Sequence, residues 1–270
     1  MPFATVNGQR LFYEDTGVPA GTQAPALVFS HGLLMDHRMF APQVAAFRSG
    51  WRCIRWDERG HGATATPGHC APFSYYDSAN DLVALLDHLG VERAVLVGMS
   101  QGGYLSLRAA LTHPQRVRAL VLIDTQALKE DPAKMPAHQA VVARWSQQGL
   151  DAEMATGLEH TILGDGWEGA AAWKHIWQGV DVANLQQCFA TLDGRDDISD
   201  RMGEIRVPTL VIHGTQDRAI APERARAMSA ALPRAQWVDI EGAGHAPNLT
   251  HPAPVNAAMQ AFLGTLAPQG

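Results

Sequence analysis

One serine in this chain is set among glycines. Residues 98–103 read GMSQGG, with Ser100 between Gly98 and the pair Gly102–Gly103. A serine hydroxyl becomes a useful nucleophile only when a base removes its proton. Histidine does this best near neutral pH, provided a carboxylate holds it in one tautomer. Both partners follow downstream: Asp217 lies in VIHGTQD and His245 in IEGAGHAPNLTHP. The pattern G-x-S-x-G after an apolar run and before a helical one marks a sharp strand-to-helix turn. Such a turn lifts the serine out at the end of a sheet and crowds the backbone. Gly98 and Gly102 are therefore expected to be free of side chain by necessity, with Gly103 easing the packing of helix on strand. On a sheet of this kind the residues follow in the chain order Ser, acid, His, as Ser100, Asp217 and His245 do.

Two residues compete for these roles. Asp124, in LIDT, also ends an apolar run, and His251 follows His245 closely. Asp217 is preferred because HGTQD has the usual loop length. His251 is read as introducing the last helix through the pair His-Pro. Most of the twelve histidines need no chemistry. His31 reads as a loop histidine, and His61, His69, His88, His113 and His138 as turn or surface positions. An attacking serine also needs donors for a developing oxyanion, and backbone N–H groups suffice. Gln101 would give one from the N-terminus of the helix after Ser100, where the helix dipole adds positive potential. Leu33, in SHGLLMD, would give the other.

Strands must place these residues. ALVFS (Ala26–Ser30), RCIRW (Arg52–Trp56), AVLVG (Ala94–Gly98), RALVLID (Arg118–Asp124), TLVIHG (Thr209–Gly214) and QWVDIEG (Gln236–Gly242) read as strands. The most apolar lack alternation, as expected of strands covered on both faces. FATVNGQRLFYED reads as a hairpin turning at Asn7-Gly8. Helical patterns fall between the strands. The clearest spans Ser78–Leu89, with Ala79, Leu82, Val83, Leu86 and Leu89 on one face and Ser78 and Asp81 placed as its cap. The alternation predicts an α/β fold: a mostly parallel, doubly wound sheet with an N-terminal hairpin and ligands at the carboxyl ends of its strands. Between about Leu128 and Glu204 the rhythm stops and helical patterns take over. Residues 128–204 are expected to form a helical cap on a core of residues 1–127 and 205–270. The cap holds Trp145, Trp167, Trp173 and Trp177. Leu34, Trp145 and Trp177 are expected to line the substrate pocket.

Composition agrees with a globular enzyme. The 270 residues are 46% hydrophobic and 18% charged, with a net charge of −6. A mildly acidic chain without a Lys/Arg cluster has no electrostatic reason to bind nucleic acid or an anionic membrane. MPFATVNGQR lacks the pattern of a signal peptide, and no apolar run approaches a membrane span. Cys53, Cys70 and Cys188 form no metal or redox spacing and read as reduced structural thiols, so the chain is expected in the cytoplasm.

With these motifs assembled, the chain resembles the α/β-hydrolase superfamily over nearly its whole length. GMSQGG, HGTQD and GAGH carry the resemblance, together with HGLLMDHRMF and WDERGHGAT. The last matches the family's D-x-R-G-x-G-x-S/T loop at Asp57, Arg59, Gly60, Gly62 and Thr64, a loop to which the resemblance assigns a structural role. The stretch from VDVANLQQ to VIHG is similar to 3-oxoadipate enol-lactonases and related small esterases. Gln101 stands where those lactonases usually carry methionine, and HGLLMD replaces their serine-rich loop. HGLLMD is closer to arylesterases and cofactor-free haloperoxidases. Carbon–carbon bond hydrolases are a further branch. Epoxide hydrolases and dehalogenases carry aspartate where this chain has Ser100. The resemblance implies a cofactor-free, metal-free serine hydrolase acting on a small-molecule ester or lactone. A hydrolase-fold receptor with little turnover is the competing class.

Overall fold

The computed structural model describes residues 2–21, 23–66 and 70–266. His69 therefore lies outside the described residues. Among the described residues, eight strands form one sheet: β1 (Phe3–Val6), β2 (Gln9–Asp15), β3 (Ala26–Ser30), β4 (Arg52–Trp56), β5 (Ala94–Met99), β6 (Val117–Ile123), β7 (Thr209–Gly214) and β8 (Ala235–Ile240). Their spatial order is β1-β2-β4-β3-β5-β6-β7-β8. The β1–β2 hairpin is antiparallel, and β2 meets β4 antiparallel. Every pairing from β4 across to β8 is parallel. The hairpin turns through Asn7 and Gly8 with φ of 48° and 74°, the left-handed pair that a two-residue turn requires.

Among the described residues, ten α-helices accompany the strands: α1 (Ala41–Phe47), α2 (Tyr75–His88), α3 (Gln101–Thr112), α4 (Met135–Gln148), α5 (Ala152–Leu158), α6 (Ala170–Gln178), α7 (Val182–Asp193), α8 (Pro222–Ala231), α9 (Pro247–Thr250) and α10 (Pro252–Gly264). Strands β3 and β5 are buried at every residue, as continuous apolar runs between two helical layers must be. The fold is the doubly wound α/β arrangement. Helices α4 to α7 lie between β6 and β7 in the chain, and His251 caps α10.

One helix starts earlier than its periodicity suggests. Ser74, not Ser78, is the N-cap of α2, and Ser74 and Asp77 exchange side-chain and backbone hydrogen bonds in a full capping box. Ser78 and Asp81 are buried in the helix instead. The two Ser-x-x-Asp patterns are equivalent in sequence. The second was taken up by packing, because Asp81 receives the Arg59 guanidinium and the Asn7 amide.

Candidate active site

Ser100 is the single residue between β5 and α3. Its backbone has φ 52° and ψ −115°, a conformation costly for any side-chain-bearing residue. Neighbours over-determine it: the Ser100 N–H donates to Ile123 O at 2.9 Å, and its carbonyl accepts from Gly103 N–H and the Thr125 hydroxyl. The glycines make room. A methyl on Gly102 would collide with the Ser30 carbonyl, and one on Gly98 with the Gly102 carbonyl. One on Gly103 would meet the Thr125 side chain at 2.5 Å.

Gln101 opens α3, so its N–H is among those a helix leaves without an internal acceptor. Its side chain accepts from the Tyr75 hydroxyl and approaches His61 Nε2, both at 3.4 Å. Leu33 sits in the turn after β3, followed by Leu34 at φ 62°. This loop runs beside the serine, since a Cβ on Gly32 would stand 3.6 Å from Ser100 Cβ. Trp177 of α6 donates its indole N–H to Leu34 O at 2.9 Å.

Asp217 and His245 meet in the loops after β7 and β8. His245 Nδ1 is 2.9 Å from Asp217 Oδ2, and Asp217 Oδ1 accepts the N–H groups of Ala219 and Ile220 at 2.8 and 3.1 Å. Burial works to raise the Asp217 pKa. The charge and hydrogen bond of His245, the hydrogen bond from Asp124 and the Ile220 N–H outweigh it and hold the carboxyl below its ordinary value. Asp124, the competing acid, is fully buried at the end of β6 and binds the Gly214 N–H at 2.9 Å. Burial, then the neighbouring Asp217, push its pKa well above the usual range. Beside both carboxyls lies His213, stacked on Trp237, with Nδ1 3.5 Å from Asp124 and Nε2 3.6 Å from Asp217. Asp124, Asp217 and His245 group as a metal's ligands would. Asp217 and His245 already engage each other, Asp217 Oδ1 takes two backbone N–H groups, and Asp124 Oδ1 takes the Gly214 N–H.

Two histidines in loop and turn positions, as expected, are buried there. Gly60–Gly62 folds beneath α7, where His61 Nδ1 binds Arg59 O at 2.9 Å and the ring packs on His31. Burial, reinforced by His31, drops its pKa to about 3. His31 is also buried, with Nδ1 at Gly32 O and Nε2 accepting the Glu58 N–H, and desolvation lowers its pKa. Apolar strand residues immediately before His31 and His213 were the available signal for burial.

Asp57 is a brace. Its oxygens take the His37 N–H, the His37 ring and the Ala63 N–H at 2.7–2.8 Å, while its carbonyl takes the Thr64 hydroxyl. A cleft of about 430 Å³ between this loop and α6–α7 is lined by Leu34, His61, His175 and Leu185, among others. Neither Trp145 nor Trp177 lines it; both are buried. A larger cleft, about 1570 Å³, opens at the amino ends of the strands, around Arg52, Arg93, Arg118 and Arg234. It lies opposite the edge that carries Ser100.

A family model described as alpha/beta hydrolase fold matches residues 25–184 and 162–252, and the chain belongs to that family. The chain is 27% identical over 255 residues to 3-oxoadipate enol-lactonase 2 of Acinetobacter baylyi, covering 88% of each. It is 31% identical to the non-heme chloroperoxidase of Streptomyces lividans, covering 96% of this chain and 98% of that one. The crystal structure of the enol-lactonase from Burkholderia xenovorans LB400 superposes with a TM-score of 0.87 at 28% identity, over 97% of this chain and all of the other. The protein is a hydrolase. Among the described residues, no helix is long and apolar enough to cross a membrane.

Proposed function

We propose that this enzyme cleaves a small or medium carboxylic ester or lactone through an acyl-enzyme. Ser100 attacks the carbonyl. His245 takes its proton and delivers it to the leaving alcohol, and Asp217 fixes the imidazole tautomer and stabilises the imidazolium. The N–H groups of Leu33 and Gln101 bind the oxyanion. Water activated by His245 then releases the acid. The observation that carries this reading is the strained turn at Ser100, on the same sheet edge as the Asp217–His245 hydrogen bond. The likeness to an enol-lactonase supports the carbonyl class of substrate. Residues 128–204 serve in this reading as a cap over the core, shaping the pocket and limiting water.

Ser100→Ala is expected to abolish hydrolysis of p-nitrophenyl acetate while circular dichroism stays unchanged; retained turnover refutes the nucleophile. Asp217→Asn is expected to cut kcat by roughly four orders of magnitude. The chloroperoxidase relative favours one second reading, perhydrolysis by the same residues. Bromination of monochlorodimedone with acetate and peroxide tests it. A single burst without turnover on every ester would instead indicate a receptor.

A further inference from the structure

Two buried carboxyls stand side by side behind His245, and the reaction described above uses only one. We propose that Asp124 is a positioning residue: a neutral carboxylic acid whose O–H donates to the Asp217 carboxylate and holds it toward His245. This rests on the reading of Ser100, His245 and Asp217 as the reacting set.

The geometry leaves few alternatives. Ligand atoms of Asp124, Asp217 and His245 lie within 4.8 Å of one another. Asp124 Oδ1 takes the Gly214 N–H, while Oδ2 is buried without an N–H or O–H donor among the described residues. An ionised Asp124 would leave that oxygen uncompensated and set a second negative charge against Asp217. Of two carboxyls in one buried site, one keeps its proton more readily than the other. Asp217 is the better anion, because two backbone N–H groups and the His245 ring surround it. Asp124 has one backbone N–H.

The groups facing the pair supply no compensating cation. His213, from β7, is held neutral chiefly by desolvation, and its ring stacks on Trp237 of β8. Asp239 of β8 acts on His213, and Tyr104 of α3 feels Asp217. Neither is positive. Among the described residues, no Lys or Arg pairs with either carboxyl. The backbone marks the position independently. Outside the hairpin turn at Asn7, the non-glycine residues with left-handed φ among the described residues are Leu34, Ser100 and Asp124. The first two belong to the oxyanion loop and the nucleophile turn, and strain of this kind is kept where a site needs it.

The test uses the pH profile of kcat and KM on p-nitrophenyl acetate for Asp124→Asn and Asp124→Gly. Asparagine keeps a donor toward Asp217 and an acceptor for Gly214, and it tolerates φ of 45°. Glycine tolerates the same φ and removes the side chain. Asp124→Asn is expected within roughly threefold of wild type with its acid limb in place. Asp124→Gly is expected to lose about 10–100-fold in kcat with KM little changed, the scale found when a supporting hydrogen bond is removed. Its acid limb should move to higher pH, because the unsupported Asp217 charge binds the imidazolium more tightly. An infrared difference between wild type and Asp124→Asn at neutral pH should show one carboxylic-acid C=O band in excess in wild type, since any contribution from Glu58 is common to both proteins and cancels. That measurement decides the matter if Asp124→Gly fails to fold. A folded but inactive Asp124→Asn, alongside an inactive Asp217→Asn, makes Asp124 an obligate anion and overturns the proposal with the triad intact. An unmoved profile in Asp124→Gly, or no acid band, also overturns it. If Asp217→Asn stays active and Asp124→Asn does not, the triad reading fails instead.

Discussion

Ser100 shows how much of this site depends on what is missing from its neighbours. The turn brings the first turn of α3 against the end of β3, so Gly102 faces the Ser30 carbonyl with no space for a methyl group. That obstacle is backbone, which cannot rotate away as a side chain can. Gly102→Ala is therefore expected to destabilise the fold by about 3 kcal/mol or more, at the upper end of overpacking costs. A shift of the urea midpoint measures it, and a variant as stable as wild type would mean that α3 can move. The sequence showed this residue clearly, because a glycine required by sterics leaves a fixed pattern around the serine. The positions of Asp217 and His245 were legible from the loops that carry them, each just past the end of a strand, β7 and β8. Asp124 was visible only as a rival acid. Its role depends on which carboxyl is better solvated by N–H groups, and no linear pattern encodes that.

Elements were legible where burial repeats and less so where contacts are made at long range. The strands fell within a residue or two of their apolar runs, whereas α2 is capped by Ser74 and not Ser78, with Asp81 claimed by Arg59. Helix α6 shows the same limit. Its Trp177 reads as a candidate for a pocket wall, and that side chain is buried with its indole N–H on Leu34 O. That bond ties an inserted helix to the loop that presents the Leu33 N–H. Trp177→Phe keeps most of the ring and deletes the donor, leaving a buried carbonyl unpaired at a cost of about 1–3 kcal/mol. A loosened loop aims its N–H less well at an oxyanion, so kcat should fall while KM for a short ester changes little. Thermal melting and steady-state kinetics measured together check this. An equal loss in KM alone would place Trp177 in substrate binding.

At the scale of the molecule, the acidic chain hides several charges that its composition does not reveal. Arg59–Asp81 and Arg195–Glu130 are paired in the interior. Glu58 is buried against the underside of the site, its N–H on His31, and desolvation pushes its pKa up to about 8 from 4.5. An acid whose folded pKa is raised binds more protons folded than unfolded, so it makes stability fall as pH rises from the unfolded value to the folded one. His61 does the opposite lower down: with its pKa near 3 instead of 6.5, it makes stability rise with pH across that window. The two slopes oppose each other between about 4.5 and 6.5, and between 6.5 and 8 Glu58 acts without that opposition. Wild-type stability should therefore decline through that upper window. Glu58→Gln supplies a neutral group of the same shape, and should gain roughly 3 kcal/mol at pH 7 before any repacking cost. Its gain should grow toward pH 8 and shrink near pH 5. Urea midpoints at these three pH values decide the outcome, and an equal decline in both proteins would assign the slope to other groups.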